Sequence, residues 1–260
     1  MGYTACIDFL IESFSTFHKD SIKIIEHYLK DKNVSDSVDL KEIANIFSDL
    51  SCAEIENIIN EAGIYACFSD RESISFDDLI IAFLKINYKS SEVENYDNIR
   101  KLERISVHES GHALIQEILD EGSVNLVSVR SISNRIAGIT LSNESPDIMF
   151  DIEKIENKLI GFLGGAAAVE VIFGVKDSLA EYDYDKAKNL LNVIYDDYYK
   201  GGFLEYDRAQ IVKYTNLENY YQKAKNIICN NIELLLKFKD ALMDKKILTG
   251  KDIKIIRSEV

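Results

Sequence analysis

The chain has 260 residues, of which 47% are hydrophobic and 28% charged, and carries a formal net charge of −14. That length can bury a substantial core in one large domain or two ordinary ones, and the composition is that of a soluble globular protein. The acidity, with no long Lys/Arg block against it, argues against nucleic acid or an anionic membrane surface as the main partner.

A single proline, no tryptophan and the lack of closely spaced turn signals predict a mainly α (α+β) fold. Four scattered cysteines (Cys6, Cys52, Cys67, Cys229) form no CxxC pair, and no signal-peptide pattern opens the sequence. Free thiols in a reducing cytoplasm are therefore expected. The most apolar run, "LIGFLGGAAAVEVIFGV" at 159–175, is interrupted by Glu170 and falls short of the ~20 residues a membrane span needs. It predicts a buried helix, and no membrane segment in this chain.

Residues 20–30 predict a first helix and 37–47 a second. A third, at 51–68, opens with a Ser-x-x-Glu capping box at Ser51 and Glu54, and a fourth at 73–87 is capped by Ser75 with Asp78. These helices form a small bundle over residues 1–90, and the polar stretch 88–98 reads as a linker to a second domain at 91–260. There a helix runs to about Asp120 and stops at Gly122. Partial alternation of β-branched residues predicts strands at 123–132 and 137–143, followed by helices at 147–173, 184–200, 217–243 and 250–258.

The segment "VHESGHALIQEIL" at 107–119 places His108 and His112 four residues apart in an apolar helix. Residues i and i+4 share a helix face, about 6 Å apart along the axis, so both imidazoles can address one ion. Neutral imidazole suits tetrahedral zinc. Glu109, beside the first histidine, can act as general base on a water that attacks a peptide carbonyl. The bland alternative is a pair of histidines decorating a helix, but an HExxH match arises by composition in roughly one such chain in a hundred or fewer. Gly111 in mid-helix costs up to ~1 kcal/mol relative to alanine, which points to a close backbone approach beside the metal. Two histidines leave zinc one protein ligand short, and His18 and His27 lie far upstream. The third ligand is then a carboxylate: Glu153, Glu156, Glu170, Glu181, Asp183 and Asp185 are candidates, and spacing does not choose among them.

The segments "HESGHA", "AGITL", "LGGAAAVEVIFG" and "DYDKAKNLLNVI" follow one another in this order. They resemble the peptidase domain of FtsH, the bacterial ATP-dependent zinc metalloprotease, whose pattern reads HEAGHA, an LGVT-like edge strand, GGRxAEExxxG and an Asp-x-x-x-Ala-x-x-Leu helix start. The tail "AKNIICNNIELLLKFKDALMDKKILTGKDI" is similar to that family's C-terminal helices, and "VDLKEIANIFSDLSCAEIENIINEAGIYA" resembles the lid of its AAA+ module. The resemblance covers about residues 20–258. It implies a zinc site of His108, His112 and Asp183, with Asp185 as fallback, and Glu109 as the catalytic base. It also implies that Gly138, Ile139, Thr140 and Leu141 form an edge strand that takes a substrate peptide by β-augmentation. A homo-oligomer, hexameric by resemblance, acting on unfolded or membrane-derived polypeptides in the cytoplasm or at the cytoplasmic face of a membrane completes the expectation.

Departures accompany the likeness. No GxxxxGK[ST] phosphate loop occurs, "LTGKD" at 248–252 lacking its first glycine and hydroxyl, so negligible ATP binding is expected of this chain. Residues 1–19 can match only the final strand of an ATPase subdomain, and the family's transmembrane segments have no counterpart. Two lid glycines are replaced by Asp49 and Cys52, a TGASND-like stretch by "SLAEYD", and an arginine and a glutamate by Ala166 and Val169. Those changes keep open an alternative, a non-catalytic zinc-stabilised scaffold or adaptor. A further alternative is a zinc peptidase outside the family with Glu170 as third ligand.

Overall fold

The computed structural model describes residues 21–88, 98–130, 138–143, 152–176, 178–194 and 206–259, with side chains from 216 onward in the last segment. Almost all of the expected linker at 88–98, the stretch 1–19 and the ends of the helices expected at 147–173 and 184–200 lie outside the described residues. The chain divides into two compact units, residues 1–92 and 93–260.

In the first unit, α1 covers residues 21–29 and is followed by α2 (Leu40–Ile46), α3 (Cys52–Phe68) and α4 (Phe76–Tyr88). Each start has a local cause. Asp39 accepts the first free N–H groups of α2, and Ser51 and Glu54 close a reciprocal capping box on α3. Ser75 and Asp78 do the same for α4, and buried Asp78 also takes both terminal nitrogens of Arg71. Isoleucines at helical spacing, Ile43, Ile55, Ile58, Ile59 and Ile80, face inward around the stacked rings of Phe47 and Phe83, 5.4 Å apart.

The second unit is built around α5 (Ile99–Leu119). Every residue from Ile105 to Ile115 is buried, the two histidines and Glu109 included, so this helix has no solvent face where the chemistry sits. Three strands run antiparallel in the order β2 (Ile139–Ser142), β1 (Val124–Ser128), β3 (Ile247–Thr249). β1 is wholly buried and β2 half-buried at one edge. After β2 come α6 (Ile152–Phe173), a 3-10 turn (Ser178–Ala180), α7 (Glu181–Val193), α8 (Tyr206–Asn230) and α9 (Ile232–Lys245), with α10 (Gly250–Ser258) after β3. Glu117, 1% exposed, accepts from the N–H groups of Gly122 and Val124 and from Arg257, tying the end of α5 to β1 and α10.

Two expectations change. The helix expected at 217–243 is two helices, broken where Asn231 leaves helical geometry and its side-chain amide donates to the Ile227 carbonyl; asparagine competes in this way with the helix's own hydrogen bonds. β3, absent from the sequence reading, is three residues long, too short to show alternation, and follows Lys246 in the left-handed conformation. No helix among the described residues is long and apolar enough to cross a membrane.

Gly111 makes the close backbone approach expected of it, against Gly164 of α6. A Cβ there would lie 2.4 Å from the Gly164 carbonyl oxygen and 2.6 Å from the Ala168 Cβ, so its missing side chain lets α5 and α6 touch main chain to main chain. Gly111→Ala is therefore expected to lose about 1–3 kcal/mol of stability through overpacking, despite the ~1 kcal/mol better helix propensity of alanine. A Cβ at Gly161 meets nothing closer than 3.6 Å, and Gly161→Ala should be tolerated. Chemical denaturation of both variants in chelator checks this; a Gly111→Ala variant as stable as wild type would contradict the crossing.

Candidate metal centre

One helical turn on α5 sets the rings of His108 and His112 edge to face, with centroids 4.7 Å apart and planes at 81°. Their Nε2 atoms lie 3.1 Å from each other, and Asp183 Oδ2 lies 3.1 Å from that of His108 and 3.3 Å from that of His112. Among the described residues this is the one group of three His, Cys, Asp or Glu whose ligand atoms fall within 4.8 Å of one another. Asp183 comes from the first turn of α7, where a helix N-terminus favours a carboxylate. The helix begins at Glu181 with Ala180 as its cap, so Asp183 is free of capping duty and its oxygen is directed at the histidines.

Small residues on α6 make the space. A Cβ on Gly165 would lie 2.5–2.6 Å from Cε1 and Nδ1 of His108 and Nε2 of His112, so only glycine fits against the two rings. It is this glycine, not Gly111, that stands beside the triad. His112 Nδ1 donates to the Gly161 carbonyl at 2.8 Å, which leaves its Nε2 lone pair facing the triad. His108 Nδ1 is buried with no hydrogen-bond partner among the described residues.

Three acceptor atoms thus converge. Tetrahedral zinc with bonds of about 2.0–2.1 Å sets its ligand atoms roughly 3.3–3.4 Å apart, close to the 3.1–3.3 Å found here. The residues fit the ion. Without it, burial opposes protonation of His112, but Asp183 outweighs burial and raises its pKa to about 9. Burial likewise works against the charge on Asp183, yet the imidazoles hold that carboxyl far below the usual range.

The other carboxylates considered stand elsewhere. Glu170 accepts from the Tyr221 hydroxyl at 2.5 Å and Lys225 at 2.9 Å, and Glu156 from the Tyr220 hydroxyl at 2.6 Å. Asp185 is exposed beside Lys188, and Glu153 and Glu181 are exposed.

Glu109 is 5% exposed and points toward β2. Its Oε2 accepts from the Thr140 hydroxyl at 2.9 Å, and a Cβ on Gly138 would lie 2.6 Å from its Oε1. Burial pushes the Glu109 carboxyl up, against the pull of His108, His112 and the Thr140 hydrogen bond. Among the described residues, Ile139 to Ser142 pair with β1 alone, Val127 opposite Thr140 and Ser128 opposite Ile139, and no described strand lies on the other side of β2. The sequence reading missed Gly165, the Gly161 carbonyl and the contact of Thr140 with Glu109. The run "GGAAA" carried the signal for the first, because consecutive small residues in a buried helix mark a close neighbour.

Residues 37–81 match the AAA+ lid domain family. Among curated proteins, the chain is similar to the ATP-dependent zinc metalloprotease FtsH of Methylococcus capsulatus, 24% identical over 270 residues, 93% of this chain and 42% of that protein. The protein of the same name from Mycoplasmoides gallisepticum is 27% identical over 271 residues, 93% of this chain and 35% of that one. The one from Aquifex aeolicus is 29% identical over 174 residues, 65% and 27% of the two chains. The chain thus spans from about a quarter to less than half of the length of these relatives. An AAA+ lid match at 37–81 and a likeness to FtsH proteins over 93% of its length together support a chain of the FtsH type.

Proposed function

We propose that this chain is a zinc-dependent endopeptidase acting on unfolded or membrane-derived polypeptides. The observation that carries the reading is the convergence of His108 Nε2, His112 Nε2 and Asp183 Oδ2 within 3.1–3.3 Å, with the buried carboxylate of Glu109 on the adjacent residue. His108, His112 and Asp183 would hold the ion. Bound zinc supplies Lewis acidity, polarising a carbonyl and acidifying water.

The chain's own residues do the rest. Glu109, its proton affinity raised by burial, accepts a proton during attack and returns it to the leaving amine. The unpaired side of Gly138, Ile139, Thr140 and Leu141 takes an extended substrate by main-chain hydrogen bonds, which read backbone more than side chain. Only an unfolded segment can lie there, and unfolding a typical domain costs about 5–15 kcal/mol. Exposed free thiols at Cys52, Cys67 and Cys229 suit a cytoplasmic setting. The relatives' names attach ATP dependence to the whole proteins, and we extend a homo-oligomeric, hexameric assembly to this chain by family resemblance.

A second reading, a zinc-stabilised scaffold or adaptor, is favoured by Ala166 and Val169, buried and apolar where the family has charge. Against it stands Glu109, because a structural site gains nothing from a buried carboxylate outside its ligand set.

Asp183→Ala should lose zinc while Glu170→Ala keeps it, as read by elemental analysis; retained zinc in the first variant would remove Asp183 from the site. Zinc must expel the proton that Asp183 holds on His112, so apparent affinity should rise about tenfold per pH unit up to about 9. The sign is opposite for the zinc-free protein. The His112–Asp183 ion pair stabilises fully below the ordinary histidine value of 6.5 and is lost as pH climbs through about 9. Chelator competition and melting curves at several pH values check both, and a zinc affinity flat between pH 6.5 and about 9 would show that His112 holds no proton for zinc to expel. Glu109→Gln should keep zinc yet lose about 10²–10⁴-fold in casein cleavage. Equal cleavage by both proteins would reject Glu109 as the base, and cleavage by neither would favour the scaffold reading.

A further inference from the structure

β2 touches the candidate catalytic residue as well as offering an open edge. Thr140 Oγ1 donates to Glu109 Oε2 at 2.9 Å and lies 3.3 Å from the Glu109 carbonyl oxygen. Two residues earlier, immediately before the strand, Gly138 closes over the other side of the carboxylate: a Cβ there would lie 2.6 Å from Oε1, 2.7 Å from Cγ and 2.8 Å from the Ser128 carbonyl. Alternation along a strand sends residues 138 and 140 to one face, and here that face is the one against Glu109. Glutamate has three side-chain torsions, and losing their freedom costs up to about 1.5–2 kcal/mol. In a buried setting a single hydroxyl donor therefore decides which way the carboxylate points.

From this geometry we infer that Thr140 is the positioning residue for Glu109, and that the strand which seats the substrate also sets the general base. The inference rests on the peptidase reading above. The hydroxyl fixes Oε2, and the bare Gly138 α-carbon leaves Oε1 room without letting the side chain swing toward the sheet. The base and the bound polypeptide then share one rigid reference, the pairing of β2 with β1 at Val127–Thr140. A hydrogen bond that orients a reacting group acts on turnover, whereas a contact to substrate alone acts on affinity.

The test is a set of Thr140 variants of the zinc-loaded full chain, assayed on fluorescein-labelled casein. Thr140→Val keeps the shape and removes the hydroxyl. It should lower kcat about ten- to a hundredfold, with KM within about twofold of wild type and zinc content intact. Thr140→Ser should recover most of the lost kcat. In a Glu109→Gln background, Thr140→Val should cost nothing further, because the group it positions is gone, and the affinity for a labelled casein peptide, read by anisotropy without turnover, should stay the same. A raised KM with unchanged kcat would assign Thr140 to substrate alone and overturn the inference. So would a serine variant as impaired as the valine one, or an equal loss in the Glu109→Gln background. An active wild type indifferent to Thr140→Val would overturn this inference only, while a wild type without Glu109-dependent cleavage would overturn the peptidase reading with it.

Discussion

Where α5 crosses α6, two main chains meet at Gly111 and Gly164, with no side chain between them. A helix pair normally keeps its axes 8–10 Å apart according to the side chains at the contact, and removing both brings the backbones together. Everything at the site follows from that approach. It brings the Gly161 carbonyl within 2.8 Å of His112 Nδ1, which fixes the tautomer, and it lays the Gly165 α-carbon against both imidazoles. Because α7 follows α6 after a short turn, the same contact also fixes where Asp183 arrives. A side chain at Gly111, Gly164 or Gly165 would move the histidines relative to the carboxylate, and ligand geometry tolerates only a few tenths of an ångström.

The electrostatics follow from this packing. Two carboxylates, Asp183 and Glu109, lie within reach of two imidazoles in a region that water scarcely enters. A divalent cation at the histidines would offset the negative charge of Asp183. The metal-free molecule balances itself another way, by a proton on His112 that Asp183 holds. The two carboxylates respond oppositely to their surroundings: Asp183 is pulled down by the histidines, and Glu109 is pushed up by burial. One stays an anion suited to ligation while the other gains affinity for a proton. Divergent environments of this kind are what separate a ligand from a base.

The parts legible in the sequence were those written locally. The helix starts at Ser51 and Ser75 announce themselves because a cap and its partner stand three residues apart, and the two histidines because one turn of helix brings them together. Asp183 was one of six carboxylates until the resemblance singled it out, since 75 residues separate it from His108 and no local rule spans that distance. β3 escaped because three residues carry no period. The break at Asn231 escaped because the apolar pattern continues across it. Thr140 was read for its backbone, as part of a strand. Its hydroxyl mattered only once the fold set that strand over Glu109.

The departures from the family pattern also acquire a physical sense. Ala166 and Val169, where relatives by the pattern carry an arginine and a glutamate, are 7% and 0% exposed on α6. Positions three apart face the same side of a helix and can interact. Losing one member of a buried charged pair strands the other and costs several kcal/mol, whereas replacing both by apolar residues is often neutral or stabilising. In this chain both positions are apolar, so neither leaves a buried charge without a partner. Glu170, next in sequence, keeps its charge and spends it on Tyr221 and Lys225 of α8, holding α6 from its other side. With its glycines against α5 and this tie to α8, α6 is held on two sides, and the spacing of His108, His112 and Asp183 stays where the glycine crossing puts it.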